Sequence, residues 1–217
     1  AINIPASVTG IGEHAFSYCD SLTRVDIEDL AAWCNISFSR SASNPLYFAK
    51  NLYLNGQLVE DLVIPDSVTS ISYAAFTNCE SLTSVTIPAS VAWIGVDAFA
   101  GCTNLTDIEA VTENPVFVSV DGLLYHKHYS ALVCCPPGKT GSVRILSGVE
   151  RIWSQAFQDC HRITSVEIPY SVTYAWWNSF HYCSSLTEVR ASEWFKVHFA
   201  DCFMGSPWFK SQGWIEA

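Results

Sequence analysis

The sequence predicts a solenoid, an elongated stack of similar coils in which each coil contributes a short β-strand. Three observations predict this fold class: a template of about 23 residues recurs along the chain, apolar and polar residues alternate within it, and a proline follows the alternating segment in most copies. One copy is too small to bury both of its faces, so its stability has to come from stacking on neighbouring copies.

Cysteine and phenylalanine mark the repeat most clearly, and Cys79 and Cys102, for example, occupy the same position in consecutive copies. The copies in register read IPASVTGIGEHAFSYCDSLTRVD, IPDSVTSISYAAFTNCESLTSVT, IPASVAWIGVDAFAGCTNLTDIE, ILSGVERIWSQAFQDCHRITSVE and IPYSVTYAWWNSFHYCSSLTEVR. Two intervals between template phenylalanines, from Phe16 to Phe76 and from Phe99 to Phe157, are too long for consecutive copies, so each holds one repeat plus an insertion. We therefore expect about eight units in one domain over residues 1–217.

The elements of one copy follow in chain order. In residues 84–87 apolar and polar side chains alternate, which predicts a strand with one buried face. Pro88 cannot donate to a strand ladder, so the strand ends there and the chain turns. Val91 and Ile94 then point inward again, and residues 98–102 form a tight apolar turn that leads into the next coil.

Two insertions and an irregular end interrupt the regular stack. The insertions lie within residues 28–63 and 110–144. Each carries a two-residue hairpin signal, Asn55-Gly56 in the first and Asp121-Gly122 in the second, between segments of β-forming residues. Residues 191–217 depart from the template and are expected to form a degenerate C-terminal cap.

The pattern C-x-x-L-x-x-V-x-I-P-x-S-V-x-x-I-x-x-x-A-F closely resembles the BspA-like class of leucine-rich repeat, and the match covers nearly the whole chain. The resemblance implies a right-handed, curved leucine-rich repeat solenoid. It places a parallel β-sheet on the concave side, short helical or irregular turns on the convex side, and hairpins in the insertions. It also implies a secreted or cell-surface protein, typically bacterial, because known members act as adhesins or interaction proteins.

Composition restricts the classes of partner. The chain is 49% hydrophobic and 15% charged, so it can bury a substantial core. Lys and Arg total 11 against 21 Asp and Glu, a net charge of -10 that repels nucleic acid and anionic membrane surfaces. No apolar run approaches the roughly 18 residues of a spanning helix, and the start lacks the pattern of a signal peptide. We expect neither nucleic-acid binding nor membrane insertion.

The nine cysteines favour a packing role over a chemical one. The template position for cysteine is occupied in five copies, by Cys19, Cys79, Cys102, Cys160 and Cys183. A shared template position predicts a buried column of small, weakly polar side chains. Zinc sites need ligand clusters of the C-x-x-C type, which the chain lacks. The adjacent pair Cys134-Cys135 is expected to stay as two free thiols, because a disulfide between neighbours is strained.

Motifs for catalysis, cofactors and metals are weak or missing. The segment 137–141 ends like a phosphate-binding loop, but Pro136 and Pro137 remove backbone donors that such a loop needs. His126 and His128 lie two residues apart with no third ligand evident. No nucleophile motif marks any serine, histidine or aspartate. We expect a non-enzymatic protein without cofactor or metal.

Aromatic residues gather in the later copies at template positions that are small or polar elsewhere. The aromatic residues that we expect to bind a ligand are Trp93, Trp153, Tyr170, Tyr174, Trp176 and Trp177. Trp153 and Trp176 share one position in consecutive copies, so their rings are expected to form a short ladder. Either these rings pack on one another as core, or they form an exposed patch for a partner. Ala175 replaces the usual isoleucine beside them, which favours the patch.

The outward residues of the template strands form a second candidate surface. It becomes acidic in the middle and late copies, where the candidate ligand-binding residues are Asp107, Glu109, Glu167 and Glu188. Such a row suits a basic protein segment or a hydrated sugar, although a charged row is also what an ordinary solvated sheet face presents.

The function that these features predict is a non-enzymatic binding module of an extracellular or cell-surface protein. Its expected partner is another protein or a host matrix component. Two alternatives stay open: a glycan-binding module, because planar aromatic rings beside carboxylates suit sugar rings, and a structural spacer that displays another domain. Oligomeric state is left open, since the terminal coils of a repeat array present strand edges.

Overall fold

The computed structural model describes residues 1–213. Its strands, numbered in chain order, are β1 Ile2–Ile4, β2 Gly10–Ile11, β3 Val25–Ile27, β4 Ser37–Phe38, β5 Leu52–Leu54, β6 Gln57–Leu58, β7 Asp61–Val63, β8 Ser70–Ile71, β9 Ser84–Ile87, β10 Trp93–Ile94, β11 Asp107–Ala110, β12 Phe117–Val120, β13 Leu123–His126, β14 Ala131–Cys134, β15 Gly141–Arg144, β16 Arg151–Ile152, β17 Ile163–Glu167, β18 Tyr174–Ala175 and β19 Glu188–Arg190. Its helices are α1 Leu30–Cys34, α2 Leu46–Ala49, α3 Glu193–His198 and α4 Pro207–Ser211, with 3₁₀ turns at Ser41–Ser43 and Ala200–Phe203. Within that range, none of the helices has the length and apolar character needed to cross a lipid bilayer.

The template strands stack in parallel with a step of one repeat. Asp107 pairs with Ser84, and Glu188 pairs with Ser165, so each residue meets its equivalent in the neighbouring copy. The resulting parallel sheets are β1–β3–β5, β7–β9–β11 and β15–β17–β19. Inward residues such as Ile108 are fully buried while their neighbours are exposed. The chain is a parallel-strand β-solenoid of about eight turns, as the repeat predicts.

Each coil carries a second short strand that the template does not reveal. The sequence predicts one strand in each coil. However, the residues around the isoleucine of the template segment S-V-x-x-I also pair with the next coil. Thus Ile94 pairs with Ile71, and Ile152 pairs with Ala175. These strands form the rows β2–β4, β8–β10 and β14–β16–β18, and all have two residues except β14, a four-residue strand of the second insertion. We call them the second row; they are too short to show a periodic signal in the sequence.

Phenylalanines at the template position form ladders inside the stack. The rings of Phe76 and Phe99 stack with centroids 5.8 Å apart. Phe180 lies between two others, 4.4 Å from Phe157 and 4.3 Å from Phe203. All five rings are buried. A ring that recurs once in every coil therefore meets its own equivalent in the next coil, and the ladder fixes the register of the turns.

The template cysteines form the expected buried column, apart from the first. Cys79, Cys102, Cys160 and Cys183 are fully buried, whereas Cys19 is half-buried. The Sγ atom of Cys102 lies 3.1 Å from the Phe76 carbonyl oxygen and donates to it. All nine thiols are free. Burial raises the pKa of Cys79 to about 11 and that of Cys34 to about 12, so these thiols stay protonated near neutral pH.

Thiol burial predicts the order of alkylation. Under native conditions at about pH 8, iodoacetamide should modify Cys19 well before Cys102, because the attacking species is an accessible thiolate. Peptide mapping by mass spectrometry measures both rates. In denaturant, all nine cysteines should react, which serves as the control. Equal native rates for these two residues would contradict the buried column.

Both insertions contain the hairpins that their sequences predict. Tyr53 pairs with Leu58 in the antiparallel hairpin β5–β6, and Val120 pairs with Leu123 in β12–β13. The turn residues have positive φ, for example 50° at Asn55 and 78° at Gly56, which matches the primed turns of two-residue hairpins. The second insertion continues into β14, so it forms a three-stranded antiparallel segment that also joins the second row.

Each insertion is fixed to the stack by a buried asparagine. The Nδ2 atom of Asn114 donates to the carbonyl oxygens of Pro88 and Val91, at 2.6 and 3.1 Å. Its Oδ1 atom accepts from the backbone N–H groups of Val116 and Phe117. Asn44 makes similar contacts in the first insertion: its Nδ2 atom donates to the carbonyl oxygens of two residues in the next coil. Each asparagine precedes a proline, but both lie in insertions, where no template position marks them.

The last described coil is helical. Ser192 caps α3 by accepting a hydrogen bond from the Phe195 amide, and Ser206 caps α4 by accepting one from the Phe209 amide. Phe203 still occupies the template position, because its ring stacks on Phe180. Residues 214–217 of the expected C-terminal cap lie outside the described range.

Candidate functional site

Over residues 1–213, the second row of strands is interrupted twice, between β4 and β8 and, in the middle of the molecule, between β10 and β14. β10 pairs with β8, and β14 pairs with β13 and β16, but among the described strands no pairing joins β10 to β14. The second insertion supplies β14 where a regular repeat would supply a strand. An open groove with a cavity volume of about 450 Å³ lies at this interruption, and we call it the Trp93–Trp153 groove.

The walls of the groove come from both sides of the interruption. The lining residues are Trp93, Ile94, Gly95, Val96, Tyr129, Val133, Arg151, Trp153, Ser154 and Trp176. Trp93 and Trp153 flank the buried Ile94 and Ile152, so the alternation of a strand directs both rings away from the core. Gly95 is required because a Cβ atom there would lie 2.4 Å from the Tyr73 backbone nitrogen. Trp93 is 59% exposed, so the groove opens to solvent.

The expected ladder between Trp153 and Trp176 does not form as a ring contact. Both residues line the groove and both are half-buried. The ring of Trp153 instead packs against His126, with centroids 5.6 Å apart, and against Tyr129 at 6.3 Å. Trp176 meets Tyr174 edge-on at 4.7 Å. The reason is that the end of β13 and the turn that follows it bring His126 and Tyr129 of the insertion against Trp153, which the repeat spacing does not reveal.

The other candidate aromatics lie on separate surfaces. Trp177 is 71% exposed and lines a cavity of about 710 Å³ with polar neighbours that include His181 and Asp201. Tyr170 is 88% exposed at a corner of the coil. Tyr174 is also exposed, and its ring contacts Phe199. The aromatic residues named from the sequence therefore divide between the groove, a second cavity that Trp177 lines, and two exposed positions outside both, Tyr170 and Tyr174.

Part of the acidic strand face is neutralised. The guanidinium of Arg144 lies 2.7 Å from Glu167, and that of Arg190 lies 2.6 Å from Glu188. Asp107 and Glu109 are exposed and have no ion-pair partner among the described residues. Close ion pairs cancel most of the field of the late carboxylates. The four candidate carboxylates therefore do not form one continuous acidic surface.

Tyr129 and Arg151 line the groove but were not predicted from the sequence. Tyr129 is 54% exposed, but it belongs to the second insertion, which has no repeat register to place it. Arg151 occupies the same position as Trp93 and Tyr174 in its copy, so the repeat alignment did contain a signal for it. The Nη1 atom of Arg151 donates to the Tyr129 carbonyl oxygen at 3.4 Å, which fixes this cation at the rim of the groove.

The two histidines of the second insertion pack as aromatic rings. His126 is buried, and its ring lies 4.3 Å from Tyr129 and 6.0 Å from His128. Burial lowers the pKa of His126, and the neighbouring His128 lowers it further, so the imidazole is neutral near pH 7. Across residues 1–213, no three histidine, cysteine, aspartate or glutamate side chains are grouped so that they could hold a metal ion.

Comparison with solved structures identifies similar repeat proteins. A leucine-rich cell surface protein from Faecalibacterium prausnitzii is 26% identical, with a TM-score of 0.53 over 88% of this chain and 60% of that one. A leucine-rich repeat protein from Eubacterium ventriosum is 20% identical, with a TM-score of 0.58 over 87% of this chain and 59% of that one. Pneumococcal vaccine antigen PcpA is 20% identical, with a TM-score of 0.54 over 88% of this chain and 50% of that one. The chain thus spans between half and three fifths of these solved chains.

Comparison with protein families gives a match over most of the chain. No curated protein matches the sequence. The BspA type leucine rich repeat region matches in six copies over residues 1–56, 47–115 and 138–211. The matched region contains the template strands, the phenylalanine ladders and the cysteine column, so sequence and fold agree. The chain belongs to the BspA-type leucine-rich repeat family.

Proposed function

We propose that this chain is a non-enzymatic binding module of a bacterial surface protein, and that the Trp93–Trp153 groove receives a protein partner. The observation that carries the proposal is the groove itself. It gathers three tryptophans and a tyrosine around an apolar cavity that is open to solvent. Exposed apolar surface of this kind marks partner sites, and tryptophan and tyrosine are the residues that most often dominate binding energy.

The scaffold supports binding because it fixes the backbone that carries the aromatic rings. Trp93 and Trp153 lie on or beside strands whose inward neighbours are buried in the stack. A tryptophan on a fixed backbone has only two side-chain torsions to order when a partner binds, so the entropy cost is small. Arg151 is the one charged side chain among the described lining residues, so the groove favours apolar contacts with a polar rim.

The proposed location is the cell surface, and the proposed partner is another surface protein or a host matrix component. Support comes from the family and from the relative in Faecalibacterium prausnitzii, which is described as a leucine rich cell surface protein. An adhesin-like role for this chain is part of the proposal. The chain covers 60% of that relative, so the rest of such a protein can carry further binding surfaces.

The second cavity favours glycan binding as the alternative function. Trp177 presents an exposed ring there, beside Asn178, His181 and Asp201, whose polar atoms suit the hydroxyl groups of a sugar. An aromatic platform with a few planar polar side chains is a common arrangement for orienting a polar ligand. A glycan would therefore occupy a different surface from the protein partner, which allows the two functions to be separated by mutation.

Alanine substitution in the groove tests the proposed function. For a partner found in a panel of purified extracellular-matrix and surface proteins, we expect Trp93→Ala and Trp153→Ala each to weaken binding by about 30-fold, because each removes a central aromatic anchor. Biolayer interferometry measures the affinity. Tyr170→Ala is the matched control, since Tyr170 is exposed and lies outside the groove, and it should bind like the wild type.

Other outcomes assign the function differently. Binding only to soluble polysaccharides, with loss in Trp177→Ala, would replace the protein-binding proposal by the glycan alternative. If no panel member binds, or if groove variants bind as well as Tyr170→Ala, the groove is not the partner site and a spacer role is favoured. Circular dichroism and thermal unfolding of every variant exclude simple loss of folding as the cause.

A further inference from the structure

The aromatic surface of the groove continues beyond the groove toward α3. Trp176 lines the groove, and its ring centroid lies 4.7 Å from that of Tyr174. The ring of Tyr174 contacts Phe199 at 5.7 Å, and the ring of Phe199 contacts Trp194 of α3 at 5.8 Å. These four rings form one connected series of contacts that begins in the groove. We call the groove together with Tyr174, Phe199 and Trp194 the aromatic track.

Much of the aromatic track is open to solvent, although its rings touch one another. Tyr174 is 44% exposed and Trp194 is 49% exposed. Val197 lies about one helical turn from Trp194 on α3 and is 66% exposed. Trp176 and Phe199 are half-buried and link the exposed rings. A contiguous exposed apolar surface of this kind is typical of a docking surface.

The repeat places the aromatic track along the axis of the solenoid. Tyr174 pairs with Arg151 on adjacent second-row strands, and Val197 of α3 follows Tyr174 by one repeat. The track therefore crosses five coils, those of β10, β14, β16, β18 and α3. At about 4.8 Å between neighbouring coils the track is about 20 Å long, and an extended peptide, which rises about 3.3 Å per residue, spans it with about six residues.

Arg151 supplies a cation at the middle coil of the track. Its Nη1 atom donates to the Tyr129 carbonyl oxygen at 3.4 Å, and its side chain makes no ion pair with any of the described carboxylates. A guanidinium has five N–H donors, so further donors stay free for a partner. The group that a guanidinium fits best is a carboxylate, which accepts two parallel hydrogen bonds from it.

The carboxylates around the track leave this cation in control of the local charge. Glu193, at the far end on α3, is paired with Lys196 at 2.9 Å. Glu150 precedes Arg151 in the sequence but does not line the groove. The chain carries a net charge of -10, but salt screens charges beyond about 8 Å at physiological ionic strength, so distant carboxylates have little effect at this surface.

We propose that the aromatic track binds an extended acidic segment of the protein partner, with apolar side chains against the rings and a carboxylate on Arg151. This inference rests on the proposed function, because it specifies the chemistry of the partner at the same groove. The segment has about six residues, as the length of the track requires. Its carboxylate lies near the centre of the segment, because Arg151 lies in the middle coil.

The arrangement of the rings favours a peptide over a glycan in the track. Tyr174 and Trp176 meet at an interplanar angle of 84°, and Trp194 and Phe199 meet at 69°, so neighbouring rings do not share one flat platform. Apart from its aromatic residues, the described lining of the groove has two polar side chains, Arg151 and Ser154. Most hydroxyl groups of a sugar would lose water there without gaining a hydrogen bond.

Three hexapeptides test the charge of the segment without the natural partner. They are acetyl-Leu-Glu-Leu-Glu-Leu-Glu-amide and its analogues with glutamine or lysine in place of each glutamate. Saturation-transfer NMR at about pH 7 should show saturable binding of the glutamate peptide, at least about fivefold tighter than that of the glutamine peptide, because hydrogen bonds between charged groups are stronger. The lysine peptide should not bind.

Variants of Arg151 assign this preference to the proposed cation. Arg151→Gln should bind the glutamate and glutamine peptides equally, whereas Arg151→Lys should keep a weaker preference for glutamate, because it retains the charge and loses the bidentate geometry. Arg162→Gln is the matched control, since Arg162 is exposed and does not line the groove, and it should bind like the wild type.

Trp194→Ala tests the length of the track. Trp194 does not line the groove, so a weakening of glutamate-peptide binding by about tenfold in this variant would show that the segment reaches α3. Tyr18→Ala removes an exposed ring in the first coil and should bind like the wild type. Thermal unfolding followed by circular dichroism checks that each variant is folded.

The results that overturn this inference differ from those that overturn the proposed function. If a panel partner requires Trp93 and Trp153 but binds Trp194→Ala and Arg151→Gln like the wild type, the groove binds a protein and the acidic segment is wrong. The segment is also wrong if no hexapeptide binds at millimolar concentration, or if the glutamine or lysine peptide binds as tightly as the glutamate peptide.

A glycan in the track would also overturn the inference. In that case a soluble polysaccharide binds the wild type and not Trp194→Ala, while the glutamate peptide does not compete. By contrast, glutamate-peptide binding that requires both Arg151 and Trp194 supports the acidic segment even if no member of the protein panel binds.

Discussion

Replacement of Phe180 by alanine is expected to lower the free energy of unfolding by about 3–5 kcal/mol. The ring is fully buried and stacks on Phe157 at 4.4 Å and on Phe203 at 4.3 Å, so its removal leaves a cavity inside the longest described ladder. Each coil of a solenoid contacts mainly its two neighbours, so the loss affects two interfaces at once. Urea unfolding followed by circular dichroism measures the change.

Phe16→Ala is the matched control for this prediction. Phe16 occupies the same template position but is half-buried and has no stacking partner among the described rings. Less surface returns to water when it is truncated, so we expect a loss of less than about 2 kcal/mol. Equal losses in the two variants would mean that the ladder adds nothing to the strength of the stack.

The regular part of the fold is predictable because a repeat converts sequence spacing into spatial contact. Once the step of the repeat is known, the pairing of Ser84 with Asp107 and the stacking of Phe157 on Phe180 both follow. The hairpins were predictable for a different reason, since Asn55-Gly56 and Asp121-Gly122 need positive φ at both residues. Strand pairing and ring stacking thus follow from the fixed repeat, and the hairpin turns follow from the local preference of Asn-Gly and Asp-Gly.

The groove was only partly predictable, because it forms where the repeat fails. Trp93, Trp153 and Trp176 were recognised as large residues at small template positions, and the structure brings them to one groove. Their actual neighbours depend on how the second insertion folds back on the stack. Tyr129 and His126 therefore contact Trp153 in place of the expected Trp176. A residue inside an insertion has no template position from which its contacts can be inferred.

The ion pairs on the strand face could have been predicted from the repeat pattern. Arg144 and Glu167 occupy equivalent positions in consecutive copies, so the repeat step itself places them side by side on adjacent strands. The pair Arg190 and Glu188 lies on one strand, two residues apart and therefore on one face. The late copies look acidic when carboxylates alone are counted, and close to neutral when their arginine neighbours are included.

Asn114→Asp is expected to lower the free energy of unfolding by about 3–5 kcal/mol at neutral pH, although it only replaces the side-chain NH₂ group by an oxygen. Nδ2 of Asn114 donates to the Pro88 and Val91 carbonyl oxygens, so an aspartate would place a carboxylate oxygen against two acceptors inside the core. The remaining oxygen would still accept from the amides of Val116 and Phe117, which keeps the geometry comparable. Chemical denaturation of the variant and the wild type measures the difference.

The pH dependence of this difference identifies its cause. Burial against two carbonyls should raise the pKa of the new carboxyl above its value of about 3.9 in the unfolded chain, so the folded variant binds its proton more tightly than the unfolded one. The penalty relative to the wild type is therefore full above the folded-state pKa and shrinks as the pH falls through it. Asn104→Asp also removes a hydrogen bond to a carbonyl oxygen, that of Glu80, but at an exposed site where water solvates the new carboxylate, so it should show a much smaller loss and little pH dependence. A loss in Asn114→Asp that stays constant between about pH 7 and pH 5 would instead point to altered packing of the insertion, with the proton playing no part.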